Sequence, residues 1–140
     1  MTSISDEKVR GFLDEGPRTG KIAYVGSDGQ PLVAPVWYLL EGDEIVFTTD
    51  ATSAKSASIT RDPRLAMCVD KDDGHKFVQV QGEVVTSEDP DELLRAATAL
   101  AARYVGAEKA DKVGRQIASP GQVVVRLRPT KLVTSDDLKS

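Results

Sequence analysis

Residues 44–55 have the sequence EIVFTTDATSAK, in which one structural pattern gives way to another. The first six residues alternate between two faces, the period of two that predicts a β-strand over 44–49. After a polar turn, Thr52 and Ser53 are candidate N-caps for a short helix over 53–60. The stretch therefore predicts a strand that passes through a hydroxyl-rich loop directly into a helix.

Further strand patterns lie on both sides of this stretch. Asp28-Gly29 is a strong hairpin signal between the first two of them. Pro35 interrupts an almost continuous apolar run, which predicts a strand covered on both faces, with a bulge or a missing hydrogen bond at the proline. The predicted strands cover residues 22–25, 32–40, 44–49, 65–69, 77–85, 122–128 and 131–134.

Three further helices are predicted around these strands. The first begins at Ser3 or Ser5 and ends at Gly16-Pro17, the clearest begins at the N-cap Asp89, and a weaker one covers 108–117. Six or seven short antiparallel strands with helices in two connections predict an α+β barrel, in one domain over residues 1–140. The apolar stripe of the clearest helix is Leu93, Leu94, Ala97, Leu100, Ala101 and Tyr104.

The composition argues against several classes of function. The chain has 22 acidic against 18 basic side chains and no basic block, so nucleic acid is not an expected partner. Cys68, expected to be inert core, and His75 are the only cysteine and histidine, so one chain has neither a disulfide nor a set of zinc ligands. No apolar stretch approaches the ~20 residues of a membrane span, and we expect a cytoplasmic protein.

The predicted helix start suits an anion. The first amide groups of a helix have no partner within it and lie at the positive end of its dipole, so an anion there gains hydrogen bonds and charge stabilisation together. Thr49, Thr52 and Ser53 can add hydroxyl donors, and Lys55 a full positive charge. The alternative is that these hydroxyls only cap the helix while Lys55 points into water.

Five short motifs follow one another along the chain. They are VAPVW at 33–37, GDEIVFTT at 42–49, SAK at 53–55, RDPRLA at 61–66 and VQGEV at 80–84. Together they resemble the pyridoxamine 5'-phosphate oxidase-like family, from about Lys21 to Val85, with a looser match over 123–128. The resemblance implies an antiparallel split β-barrel of six to seven strands with short flanking helices. It also implies that the segment 48–55 binds the phosphate of a cofactor.

Departures from the family pattern indicate the branch. FMN-binding oxidases of the family carry an additional arginine and lysine on the strand that matches 33–40, and an arginine where this chain has Ala54. Their C-terminal tail contains Trp, Arg and His, whereas this chain has TSDDL at 134–138. Oxidation of pyridoxamine phosphate is therefore not expected. The chain instead resembles the short branch that binds coenzyme F420 and reduces small organic molecules, and DDGHKF at 72–77 resembles the second cofactor-contacting segment of that branch.

The resemblance also implies which residues contact the cofactor. Its ring system is expected along the segment 35–37, whose backbone amides would hold the polar pyrimidine edge, with Trp37 as a wall. No catalytic side chain and no metal is implied, because the deazaflavin itself carries the hydride. The implied contacts are Pro35, Val36, Trp37, Thr48, Thr49, Thr52, Ser53, Ala54, Lys55, His75, Phe77 and Val78.

Some of these residues have a plain structural alternative. Trp37 is equally well a core or dimer-interface aromatic. His75, next to Asp72-Asp73-Gly74, is either a cofactor contact or proton donor, or an exposed turn residue. Arg126 and Arg128 either reach a cofactor carboxylate across a dimer interface or form an ordinary solvated face.

The expected function is hydride transfer from reduced F420 to an electron-poor double bond of a small molecule. We expect a homodimer with the cofactor near the interface, because the strand predicted over 32–40 would otherwise expose an apolar patch. Three alternatives stay open. They are an FMN-dependent reductase of the same fold, a non-catalytic protein that binds a flavin or tetrapyrrole, and a barrel without cofactor.

Overall fold

A computed structural model describes residues 2–71 and 75–139, and these ranges contain seven strands and four α-helices. The strands are β1 (Gly20–Val25), β2 (Pro31–Val36), β3 (Leu39–Glu41), β4 (Glu44–Asp50), β5 (Arg64–Lys71), β6 (Lys76–Ser87) and β7 (Gln122–Thr134). The helices are α1 (Glu7–Asp14), α2 (Ala54–Arg61), α3 (Pro90–Val105) and α4 (Ala110–Ile117), with short 3₁₀ turns at Ala107–Lys109 and Asp136–Leu138. In the described ranges, no helix has the length and apolar character needed to cross a membrane.

All seven strands form one antiparallel sheet with the spatial order β2-β1-β5-β6-β7-β4-β3. Only Trp37 and Tyr38 separate β2 from β3 in the chain, yet these two strands lie at opposite ends of the order. The sheet therefore curls until its ends approach each other at Trp37-Tyr38. The chain itself closes the barrel there, since no ladder joins β2 to β3 in the described residues. This confirms the expected α+β split barrel.

The prediction of one strand over 32–40 is wrong, because the run forms two strands. Tyr38 donates its backbone N–H to the hydroxyl of Tyr104 at 3.1 Å instead of to a neighbouring strand, so the ladder stops there. Nor is β2 covered on both faces, since Leu32 is 40% and Val33 70% exposed at this edge of the sheet. An apolar run predicts that a strand is covered by other parts of the protein, but it does not show whether the strand lies at an edge of the sheet.

The barrel interior holds the larger apolar core. Side chains from one face of each main strand fill it, and the two short helices α1 and α2 close it. The first helix therefore lies over one end of the barrel. The closing side chains are Val9, Phe12 and Leu13 of α1 and Ile59 of α2.

A smaller core lies outside the barrel, where α3 covers β4 and β7. Leu93 and Ala96 of α3 pack onto Val46 and Val124. Val124 points outward, as the alternation predicts, but it is fully buried beneath α3. Leu94 was expected in the buried stripe and is 44% exposed, because it lies one helical step, about 100°, from Leu93.

Several element boundaries differ from the prediction. The strands predicted over 122–128 and 131–134 are one strand, β7, which pairs with β6 through a bulge at Gly82. The N-cap of α1 is Asp6 rather than either predicted serine, and its side chain makes no capping hydrogen bond. The weaker predicted helix begins as a 3₁₀ turn before α4.

Gly82 permits the close approach of β6 and β7 at this bulge. A Cβ atom at this position would overlap the backbone carbonyl of Arg128. Backbone atoms yield less easily than the end of a flexible side chain, so any larger residue must displace a strand.

Gly82→Ala should lower the free energy of unfolding by about 1–3 kcal/mol, the usual cost of forcing a methyl group into a filled site. Gly11→Ala is the matched control, because a Cβ atom at Gly11 in α1 meets no atom within 4 Å. There alanine should stabilise the helix by about 0.5–1 kcal/mol. Urea unfolding should show that Gly82→Ala is less stable and Gly11→Ala more stable than wild type. A Gly82→Ala variant as stable as wild type would contradict the close approach of β6 and β7.

Candidate functional site

Two of the three threonines predicted to bind the cofactor, Thr48 and Thr49, lie on opposite faces of β4. Its side chains alternate, so Thr48 shares the outer face with Val46, beneath α3. Thr49 is 6% exposed and lies on the inner face with Phe47. Only the side chain of Thr48 is therefore on the outer surface of the barrel, and Thr49 presents little more than its backbone.

The hydroxyl groups at the start of α2 are engaged within the loop. Ser53 is the N-cap, as predicted: its Oγ accepts the backbone N–H of Ser56 at 3.0 Å and donates to the carbonyl of Asp50 at 2.7 Å. Thr52 donates its hydroxyl at 2.7 Å and its backbone N–H at 2.8 Å to Oδ1 of Asp50. These bonds, the side-chain one first, hold the pKa of Asp50 below its usual value. Capping thus accounts for both hydroxyls.

Three donors at the same helix start stay available. The backbone N–H groups of Ala54 and Lys55, at the first two positions of α2, have no hydrogen-bond partner in the described part of the chain. The Lys55 side chain is half-buried and makes neither an ion pair nor a hydrogen bond with any described residue. One cation and two amides fit a singly charged anion, while the nearby Asp50 carboxylate opposes a higher negative charge.

The predicted ring-binding segment 35–37 presents three different environments. Pro35 is exposed on the edge strand, and Val36 is 8% exposed and points into the barrel. Trp37 is 37% exposed and stacks on Tyr104 of α3, with ring centroids 4.7 Å apart and an angle of 2° between the planes. This tryptophan is therefore neither buried in the core nor fully exposed.

Trp37 and Thr48 lie on the same side of the sheet. Leu39 pairs with Val46 in the β3–β4 ladder, and both pack under α3. Trp37 stacks on Tyr104 of α3, and Thr48 shares its face of β4 with Val46 beneath the same helix, so both lie on the outer side of the barrel. The structure therefore brings Trp37 and Tyr104 into contact and leaves Thr48 on the same outer side of the barrel. The sequence pattern assigned Tyr104 only to the apolar stripe of its helix. The aromatic residue at the end of that stripe was the signal that could have indicated a further role.

The third predicted segment lies at the opposite end of β5. Val78 is fully buried in the barrel, Phe77 is half-buried and donates its backbone N–H to Ser135 Oγ at 3.2 Å, and His75 is exposed in a turn. Residues 72–74 lie outside the described residues. The eight residues of β5 lie between the end of α2 and this turn, and an extended strand of that length spans roughly 23 Å. Within one protomer, His75 and Lys55 therefore do not meet.

Arg126 lies in a network of carboxylates. Its guanidinium is 3.0 Å from Glu41 and 2.8 Å from Glu92, and its side chain is only 15% exposed. Arg128, which is exposed, lies 2.8 Å from Glu44. Both arginines thus have carboxylate partners in their own protomer, and the interpretation of Arg126 as part of a solvated face is wrong. This network attaches the first turn of α3 to β3, β4 and β7.

Cys68 is also placed differently from its prediction. It is half-buried on the outer face of β5, in register with Lys21 of β1 and Gln79 of β6. Burial and then the neighbouring Asp70 raise the pKa of its thiol. A raised pKa lowers the fraction of the reactive thiolate, and the residue is not part of the core.

A cavity of about 470 Å³ lies behind the loop that precedes α2. The loop borders it directly, since the N–H of Ala51 donates to the carbonyl of Gly121 at 2.7 Å. Leu94 lines this cavity, which explains its exposure. Its other walls include Leu93 and Val123, with Arg115 at the rim.

The sequence matches one protein family over most of its length. Residues 5–135 match the profile of the family described as pyridoxamine 5'-phosphate oxidase. No curated protein sequence matches the chain at a significant level.

Solved structures share this fold. A conserved hypothetical protein from Mycobacterium tuberculosis, Rv2991, is 28% identical, with a TM-score of 0.83 over 96% of this chain and 86% of that one. A protein described as an F420 reductase is 29% identical, with a TM-score of 0.68 over 86% of this chain and 93% of that one. The heme storage protein HutZ from Vibrio cholerae is 12% identical, with a TM-score of 0.73 over 92% and 93% of the two chains, and shows the fold alone.

Glu92→Gln should lower the stability of the protein at neutral pH but not in acid. The Ser87 hydroxyl and then Arg126 hold the pKa of Glu92 below its ordinary value. A lowered native pKa means that the stabilisation is present above the unfolded pKa of about 4.5 and is lost as the pH falls through the native value.

Thermal unfolding from pH 7 to pH 3 provides the measurement. The melting temperatures of wild type and Glu92→Gln should differ at pH 7 and converge at the acid end. Glu88→Gln is the control, because Glu88 is exposed and makes no ion pair with the residues that the structure describes. A difference that persists unchanged at pH 3 would show that Glu92 contributes through packing alone.

Proposed function

The chain belongs to the pyridoxamine 5'-phosphate oxidase family, and from this we propose that it is an oxidoreductase that uses coenzyme F420. In this proposal it transfers a hydride from the reduced deazaflavin to an electron-poor double bond in a small organic molecule. The observation that carries the proposal is the half-buried Lys55 at the start of α2, which makes no ion pair with the described residues and follows the end of β4 that carries Thr48. The likeness to an F420 reductase supports the choice of cofactor.

The residues of this chain have distinct roles in the proposal. Lys55 and the first two N–H groups of α2 bind the phosphate, while Trp37 and Thr48 flank the ring system. The deazaflavin, when bound, supplies the hydride. The protein orients the two reactants and excludes water, which needs no catalytic side chain of its own.

The charge balance at the helix start favours F420 over FMN. The phosphate of F420 is a diester with a single negative charge, whereas the monoester phosphate of FMN carries about −1.5 to −2 at pH 7. Asp50, whose carbonyl accepts the hydroxyl of the N-cap Ser53, has a lowered pKa and adds a negative charge beside the helix start. A site with one lysine and a neighbouring carboxylate suits the lower charge.

We also propose that the protein works in the cytoplasm as a homodimer, with a second copy covering β2. This edge strand presents Leu32 and Val33 to solvent at 40% and 70% exposure, with Pro31 and Pro35 beside them. A second copy would bury this apolar surface. It is also the natural source of further cofactor contacts, since His75 lies far from Lys55 within one protomer.

Val33→Glu should shift the protein towards monomers, because a carboxylate at the centre of this surface would be buried without a partner. Ala99→Glu introduces the same charge at an exposed position of α3 and should leave the assembly unchanged. Light scattering at micromolar concentration measures the mass. A wild type that is already monomeric would contradict the dimer.

Lys55→Ala should weaken the binding of F420 by about 1.5–3 kcal/mol, roughly 10- to 150-fold, through loss of a charge-assisted phosphate contact. Asp50→Asn should tighten binding, and more for FMN than for F420, because the amide still accepts the bonds from Thr52 but carries no charge. Lys112→Ala, an exposed lysine of α4 without an ion pair among the described residues, is the matched control.

Fluorescence titration with F420, FMN and haem measures these affinities, and oxidation of reduced F420 by quinone and enone acceptors measures turnover. Tight FMN binding without affinity for F420 would overturn the proposed cofactor in favour of an FMN reductase. Binding of a flavin or haem without turnover would indicate a carrier. Unchanged affinity in Lys55→Ala would show that Lys55 does not bind the phosphate of the cofactor.

A further inference from the structure

The segment between β2 and β3 is held by a side chain rather than by the sheet. Trp37 and Tyr38 belong to neither strand, so no ladder fixes their backbone. The hydroxyl of Tyr104 replaces it, accepting the N–H of Tyr38 at 3.1 Å and donating to the carbonyl of Arg18 at 2.6 Å. One hydroxyl thus links α3, the segment before β1 and the break in the sheet.

Tyr104 is itself held in place. The guanidinium of Arg103 lies 5.5 Å from the centroid of its ring and 5.0 Å from that of Tyr38. Arg103 in turn donates to the carbonyl of Leu13 at 2.9 Å and to that of Asp14 at 3.1 Å. With hydrogen bonds at its hydroxyl and neighbours at its ring, Tyr104 has little freedom to rotate.

The ring of Tyr104 covers one face of Trp37 in a nearly parallel stack. Trp37 is 37% exposed, so the stack leaves part of the indole open to a ligand. A tryptophan in an irregular segment would otherwise sample several rotamers, and fixing it would lower the entropy lost when a planar ligand binds. Parallel stacking also suits a second aromatic system on the same axis.

We propose that Tyr104 is a positioning residue, which fixes the indole of Trp37 as the aromatic wall for the cofactor ring without contacting the cofactor itself. This inference rests on the proposed function, because it assigns the same site a device for selecting a planar aromatic ligand. The competing explanation is that the stack only stabilises the junction of α3 with the barrel. The two differ in whether Tyr104 affects cofactor affinity through Trp37.

Trp37 is the only tryptophan in the chain, so its fluorescence reports on this position alone. In the free protein, Tyr104→Leu should lower the anisotropy of Trp37 emission, and it should weaken F420 binding roughly three- to tenfold. Tyr104→Phe keeps the stack and should recover most of the affinity. Tyr24→Leu, the same change at a half-buried tyrosine on β1, is the control and should leave affinity unchanged.

A double-mutant cycle separates an effect through Trp37 from a general loss of structure. In a Trp37→Leu background, Tyr104→Leu should cause no further loss of F420 affinity, because the side chain that it positions is already gone. If Tyr104→Leu does not fold, Tyr104→Met, whose longer and more flexible side chain also lacks a stacking ring, serves in the same cycle. Melting temperatures confirm that every variant is folded during the titration.

The outcomes distinguish this inference from the function on which it rests. A wild type that binds neither F420 nor FMN overturns the proposed function, whatever Tyr104 does. A wild type that binds F420, with unchanged affinity in Tyr104→Leu, overturns the positioning role alone. An equal loss in both the wild-type and the Trp37→Leu backgrounds also overturns it, since Tyr104 would then act independently of Trp37.

Discussion

The barrel depends on a break in its sheet, at which β2 leaves one edge and β3 joins the other. A closed ladder cannot form there, so the backbone N–H of Tyr38 needs another acceptor, and the hydroxyl of Tyr104 provides it. This bond fixes the direction in which the chain crosses between the edges. The same crossing turns Tyr38 into the core and Trp37 outward, where its ring meets the helix that supplies the hydroxyl.

The helix α3 can perform this task because it is attached to the barrel near both ends. In its first turn, Glu92 pairs with Arg126, and in its last turn, Arg103 and Tyr104 bond to carbonyls of the N-terminal segment. Between these points, small and apolar side chains pack onto β4 and β7. Arg126, which was considered as a cofactor contact, is thus part of the scaffold, whereas Lys55 at the start of α2 makes no ion pair with the described residues.

Much of the fold was predictable from local patterns. The alternation in β4, the N-cap Ser53 and the start of α3 depend on residues that are neighbours in sequence, and each is found as expected. The division of the run 32–40 was not predictable, because it depends on a hydroxyl 66 residues away. The partners of Arg126 were missed for the same reason, since Glu41 and Glu92 lie far from it in the chain.

Local patterns in the sequence were enough to predict most of the strands and helices, the family and the helix start that carries Lys55, because periodicity, capping and motif order are properties of short segments. Only the tertiary structure decided which faces of those segments are accessible. It turned Thr49, Val36 and Val78 into the barrel and left Thr48 and Trp37 outside. The physical reason is that curvature and edge pairing choose the inner face of each strand, and neither is encoded in the strand that they affect.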